Sequence, residues 1–297
     1  MKRLLCATAA SVAIIAAGFG PAAASARTEA PPVPIPSDMT TSYLLFDRPT
    51  NHILASRDPD KQFRSASVVK ILIALDYLTI KGSVDNIPAD DLPKLQSMLR
   101  SSDDAAAKYF YRGDGYTEVI TRMVEKLGLQ HTEPPADRNY WGYTAISASD
   151  ILRTYQYLLA DQQDAFGQFI LANLGQSTQC AKDGSDQYFG IPSVAPAPFR
   201  IKQGWSGFPD VVRTPQCPTS SADSPASSGE EAPAGVAAKI PADGVDLTSH
   251  LLHTTGLVDH DSRILIVLSL YPTSVDWPTA ASKITAVTQA VYGYTQL

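Results

Sequence analysis

Strand-like patterns sit at the two ends of this chain and helical periods fill its middle, and that order most constrains the fold. "SYLLFDRPTNHILASRD", from Ser42, reads as two short strands around the turn residues Asp47, Arg48, Pro49, Thr50 and Asn51. Toward the other end, "PFRIKQG" at 198–204, "HLLHTTGLV" at 250–258 and "RILIVLSLY" at 263–271 read as strands. Between them, residues 67–81 are apolar on most faces, and "YTEVITRMVEKLG" spaces Ile120, Met123, Val124 and Leu127 by three and four before stopping at Gly128. "SASDILRTYQYLLA" offers Ser147 or Ser149 as N-cap, Asp150 in the first turn, and Leu152, Tyr155 and Leu159 on one face. A last helix begins near Pro278 and aligns Ala281, Ile284, Val287 and Val291. An α+β fold follows, with both chain ends paired into one antiparallel sheet, a helical lobe inserted between them and a cleft between the lobes.

Residues 1–26, with Lys2, Arg3, an apolar stretch and Ala24-Ser25-Ala26, read as a secretory signal peptide cut after Ala26. Gly18, Gly20 and Pro21 interrupt that stretch before the roughly 20 residues needed to span a bilayer, and no later segment looks transmembrane. Cys6 stands too near the start to follow an apolar signal core, so it is expected to leave with the leader. Cys180 and Cys217 remain in a secreted, cell-envelope compartment where disulfides persist, and they are expected to pair; two buried thiols are the alternative. Residues 27–41 form a proline-rich leader, 42–297 the domain, and 218–244 a Ser, Ala, Pro and Gly tract expected to be a mobile insertion. The chain has 24 Lys and Arg against 30 Asp and Glu, a formal charge of −6, which argues against nucleic acid or an anionic membrane surface as partner. His250 and His253 are three apart in a strand and point to opposite faces, and none of the five histidines falls in a metal-binding motif. No metal or cofactor is expected, and the chain is read as a monomer.

In "FRSASVVKILIALDYL", Ser67 and Lys70 fall on one helix face a turn apart. A serine hydroxyl becomes a good nucleophile when a neighbour takes its proton, and a lysine can do so if burial holds it neutral. The alternative for this spacing alone is an ordinary helix start, with Lys70 snorkelling its ammonium to water. Two further polar triplets follow in order. "MLRSSDDAAAKYF" offers Ser102-Asp103-Asp104 ahead of an alanine-rich helix, and "FRIKQGWSG" offers Lys202-Gln203-Gly204 at the end of a strand.

With these three motifs in this order, the chain resembles the penicillin-recognising serine hydrolases, the superfamily of class A β-lactamases and D-alanyl-D-alanine peptidases, whose motifs are S-x-x-K, S-D-N and K-T-G. "LLFDRPTNHILASRDPDKQFRSASVVK" resembles the family's opening hairpin and nucleophile helix, and "RILIVLSLY" its closing strand. The resemblance implies a β-lactamase/transpeptidase-like fold, Ser67 as acyl-accepting nucleophile, Lys70 as its proton acceptor and Ser102 as proton shuttle to the leaving nitrogen. It further implies Asp104 at a substrate-contacting asparagine position and Lys202 as a positive charge for a substrate carboxylate. Gln203, Gly204 and Trp205 would line the same strand, with oxyanion donors in the backbone N–H of Ser67 and of Trp205 or Ser206.

Three departures bear on activity. Gln203 replaces a threonine, so a β-lactam carboxylate would sit differently. Asp104 replaces the asparagine and brings a carboxylate near both lysines; at about 4 Å and an effective dielectric near 20 the interaction is worth ~4 kcal/mol and favours a protonated lysine, less so for Lys70 if Asp104 pairs chiefly with Lys202 or is itself protonated. In "EPPADRNYWGYTA" no glutamate falls where the class A deacylating residue belongs, since Glu133 precedes the Asp137-Arg138 pair. Trp141, Trp205 and Phe208 could line a groove or simply pack. The expected ligand is a β-lactam or a peptidoglycan peptide, either turned over as by an acyl-transfer enzyme or held by a catalytically impaired binding protein.

Overall fold

The computed structural model describes residues 32–160, 165–208, 216–217 and 244–296. The signal-peptide reading and the tract at 218–243 lie outside them. Among the described residues the strands are β1 (Thr40–Asp47), β2 (His52–Arg57), β3 (Phe63–Arg64), β4 (Ala145–Ile146), β5 (Arg200–Ser206), β6 (His250–Val258) and β7 (Arg263–Tyr271). The helices are α1 (Lys70–Lys81), α2 (Leu92–Arg100), α3 (Asp104–Gly113), α4 (Thr117–Leu127), α5 (Ala148–Ala160), α6 (Ala165–Leu174), α7 (Ile191–Val194) and α8 (Trp277–Tyr292).

The five long strands make one antiparallel sheet in the order β2-β1-β7-β6-β5, so strands from both ends of the chain are neighbours and the helical middle is inserted between them. Strands β1, β7 and β6 are buried on both faces, and alternation assigns each of their residues to one side. Ile264, Ile266, Leu268 and Leu270 of β7 face the helical lobe with Leu44 and Phe46, while Leu265, Val267 and Tyr271 face α8 with Leu45, Ile284, Val287 and Val291. That two-sided burial is why "RILIVLSLY" is an almost unbroken apolar run. A one-residue slip would exchange the two faces, so the register is tightly specified.

Two expectations shift. The hairpin starts at Thr40, and the described part of the proline-rich leader is docked: Val33 and Met39 are buried against the α8 side of the sheet, and Asp38 pairs with Lys283 of α8. β5 begins and ends two residues later than the pattern at 198–204 suggests.

Helix caps follow the local sequence. Ser147 accepts from the Asp150 N–H at the start of α5, Asp103 from the Ala106 N–H at the start of α3, and Asp276 from the Thr279 N–H ahead of α8. Asp150 does more than favour its helix electrostatically. It is fully buried and accepts from the N–H groups of Gln130 and His131, from Thr132 Oγ1 and from Arg153, which fastens the turn after α4 to the first turn of α5.

Candidate active site

Ser67 lies in a single 3₁₀ turn, Ala66–Val69, that leads directly into α1. The residue before it, Ala66, has φ 42°, and Ser102 has φ 57°; both are left-handed conformations that side chains with a Cβ seldom adopt. Such strain persists only where surrounding structure enforces it, and here it falls beside each of two facing serines. The turn is held from outside. The Ser65 N–H donates to Thr144 O at 2.8 Å, and Phe63 and Arg64 pair with Ile146 and Ala145.

Lys70 is completely buried and its Nζ contacts Ser67 Oγ at 2.8 Å, Ser102 O at 2.6 Å and Asp104 Oδ1. The ring of Trp141 covers the same nitrogen, with its centroid 4.8 Å away. Lys202, on β5, is also buried, and its Nζ is hydrogen-bonded to Ser102 Oγ. Burial, and next the charge of Lys70, push the Lys202 ammonium well below the usual lysine range. Ser67, Lys70, Ser102, Asp104 and Lys202 therefore converge.

Gly204 is needed where β5 crosses the nucleophile turn. A Cβ there would lie 3.0 Å from Ser65 O and 3.1 Å from Val68 Cγ2, so a side chain would lever the strand away from Ser67. Gln203 and Trp205 point to the opposite face of β5, and their reading as side-chain contacts to substrate is corrected. Gln203 is fully buried and donates to Gln187 O at 3.0 Å and Phe189 O at 2.7 Å. Trp205 donates from Nε1 to Asp183 Oδ2 at 3.1 Å and packs edge-on against Trp277. Period-two alternation from an inward Lys202 carries the signal for this placement. Asp104 pairs with Lys70, so the alternative of a chief pairing with Lys202 is also corrected.

The loop between α4 and β4 supplies no acid to the cluster. Glu133 is exposed, bridges to Ala145 and accepts from Gln62 Nε2 at 2.9 Å, while Trp141 is buried against Lys70. Phe208 packs between His250 and Trp277. His250 and His253 serve the backbone instead. The Ser269 N–H donates to His253 Nδ1 at 3.1 Å, so His253 Nε2–H donates to Arg64 O at 2.9 Å, and burial lowers the imidazole to about 4.

One wall of the site gave no signal in the sequence. The segment 175–190 between α6 and α7 runs past the second serine: the Thr178 N–H donates to Arg100 O, the Lys182 N–H to Ser101 O, and Asp183 holds Trp205. Cys180 in this wall is joined to Cys217, 37 residues on. Free-thiol titration of the unfolded, unreduced mature protein should find none, and reduction should cost roughly 3 to 4 kcal/mol by loop entropy. Two titratable thiols would reject the bridge.

No protein-family model matches the chain. Over 176 residues, 56% of the chain, it is 39% identical to "Putative lipoprotein LppW" of Mycobacterium tuberculosis (strain H37Rv) and of Mycobacterium bovis. The match takes in 54% of those relatives, so the chain spans about half the length of the curated relatives it matches. Among solved structures, PBP-A superposes with a TM-score of 0.59 at 12% identity, covering 89% of this chain and 93% of that one. A class A β-lactamase from Mycobacterium abscessus gives 0.57 at 13% identity, covering 87% and 94%. The fold is that of class A β-lactamases and PBP-A. Its antiparallel sheet from both chain ends and its inserted helical lobe are those expected from the patterns along the chain.

Proposed function

We propose that this chain is an exported serine acyl-transfer enzyme in which Ser67 takes the acyl group of a β-lactam or of a D-amino-acid peptide from cell wall. The observation that carries this reading is the contact of Ser67 Oγ with Lys70 Nζ at 2.8 Å, in a cluster closed on its far side by the Ser102–Lys202 bond. The Ser67 N–H and an N–H of the edge strand β5 past Gly204 would receive the oxyanion. Among the fold neighbours, a PBP-A variant is described as an acyl-enzyme complex with penicillin G, which supports a β-lactam as the probe. Export is supported by the Cys180–Cys217 disulfide and by the lipoprotein name of the mycobacterial relatives. Among the described residues no helix is long and apolar enough to cross a membrane.

A second reading, a binding protein with little turnover, is favoured by the direct ion pair of Asp104 with Lys70, which stabilises the ammonium beside the nucleophile. A fluorescent penicillin and intact-protein mass spectrometry separate the two. Acylation predicts a mass increase of one penicillin on the parent chain and none on Ser67→Ala. No adduct on the parent or on Asp104→Asn at high probe concentration would establish the binding protein.

A further inference from the structure

The wall at 175–190 and the edge strand β5 belong to one covalent ring. Cys180 lies in the wall, Cys217 follows β5, and their disulfide closes the chain between them. Two β5 side chains stitch the ring from inside: Gln203 Nε2 donates to Gln187 O and Phe189 O, and Trp205 Nε1 to Asp183 Oδ2. Thr178, just ahead of the ring, is fastened to it by a hydrogen bond from its hydroxyl to Cys180 O at 2.7 Å.

This ring grips three successive residues of the helical lobe, and the third is the second serine of the site. The Thr178 N–H donates to Arg100 O at 3.1 Å, and Gln187 Nε2 donates to the same oxygen at 2.9 Å. The Lys182 N–H donates to Ser101 O at 2.7 Å, and Lys202 Nζ is bonded to Ser102 Oγ. Ser102 has φ 57°, a conformation that a residue with a Cβ keeps only under outside constraint. On one side the constraint comes from the lobe itself, where Asp103 accepts from the Ala106 N–H and from Ser97 Oγ. On the other side it comes from the ring. Cys180 stands two residues from each of the anchoring amides, Thr178 and Lys182, so opening the bridge there is felt at both.

We infer that the Cys180–Cys217 disulfide is a positioning element of the active site, and that its reduction by a dithiol slows acylation by freeing the wall from Arg100 and Ser101 and relaxing Ser102. The inference rests on the acylation proposed for Ser67. The bridge is open to exchange from one side, since Cys180 is half-buried and Cys217 is 1% exposed. A thiolate of the dithiol attacks Cys180 Sγ and expels the Cys217 thiolate. The dithiol's second sulfur then closes on its first and releases Cys180. Two electrons pass from the dithiol, which leaves as a disulfide, and each cysteine takes up one proton. Misplacing a group of the site by about 1 Å costs on the order of 10²-fold in rate, so release of Ser102 has a large kinetic effect.

The test compares the oxidised full chain with the chain reduced by dithiothreitol and desalted without oxygen, at a temperature where circular dichroism shows both folded. Reduction should slow labelling by a fluorescent penicillin by about 10- to 100-fold, and oxidised glutathione should restore the rate. Amide hydrogen exchange should rise at Thr178 and Lys182 and stay unchanged in β6 and β7. Ser102→Ala, slower from the outset, should show no further slowing on reduction. If it labels too slowly to follow, the two amides decide. Should the reduced chain not stay folded, Gln187→Met on the oxidised chain removes a docking bond to Arg100 with the bridge intact, and labelling at the parental rate overturns the inference. So does an unchanged rate on reduction, equal slowing in Ser102→Ala, or unchanged exchange at Thr178 and Lys182. A chain that never acquires a label, but whose two amides are released on reduction, keeps the role of the bridge in holding the wall and rejects the acylation reading, so the two failures are distinguishable.

Discussion

Penicillin-labelled protein, once freed of excess probe, should keep its adduct for hours, because among the described residues no carboxylate is placed to direct water at the Ser67 ester. Hydrolysis of such an ester is accelerated by a carboxylate or neutral nitrogen that removes a proton from the attacking water, an effect on the order of 10² to 10⁴-fold. In this site the carboxylate beside Ser67's partner is Asp104, and it is committed to the Lys70 ammonium. The loop between α4 and β4 sets the indole of Trp141 against Lys70, and its glutamate, Glu133, is exposed and bonded to Gln62. Lys202 is buried and its Nζ is engaged by the Ser102 hydroxyl. Intact-mass measurements at intervals give the rate directly. An adduct that decays within seconds would show that another group activates the water.

How the chain disclosed its fold and hid part of its site is a matter of sequence distance. The ends of β6 and β7 and the period of α4 are local, set by alternation and by Gly128, whose φ of 63° closes the helix. Ser67 and Lys70 were legible for the same reason, since a separation of three on a helix brings two side chains together whatever the rest of the chain does. Asp104 was recognisable by position, but its choice of Lys70 over Lys202 depends on how α1, α3 and β5 approach. Those elements are brought together by packing that no short pattern encodes. The same is true of the 175–190 wall, whose bonds to Arg100 and Ser101 reach back more than a third of the way along the helical lobe's sequence. Helix α6 is hard to read because it is short and apolar nearly all round, whereas α2 puts Leu95, Met98 and Leu99 on one face at three and four spacing and is hidden only by its nine-residue length.

The largest loss of stability from a single side chain is expected at Asp150, which lies outside the cleft. Its carboxylate is fully buried and gathers donors from Gln130, His131, Thr132 and Arg153. Asp150→Ala removes the acceptor shared by two backbone N–H groups and by the buried Thr132 hydroxyl. Deleting one member of such a buried polar cluster typically costs about 3 to 5 kcal/mol. The turn it holds opens the segment that continues through the Glu133–Ala145 bridge to Trp141 and then to β4, where Thr144 O holds the Ser65 N–H. Loosening the turn should therefore reach the nucleophile as well as the fold. Thermal and urea unfolding of Asp150→Ala should show the loss, accompanied by slower penicillin labelling at temperatures where the variant remains folded. Arg153→Ala serves as the control, because that side chain is about a third exposed and its removal leaves Asp150 with three protein donors. It should cost no more than about 1 kcal/mol, as for a partly exposed ion pair. Equal losses in the two variants would mean that the ion pair, and not the anchored turn, is what Asp150 contributes.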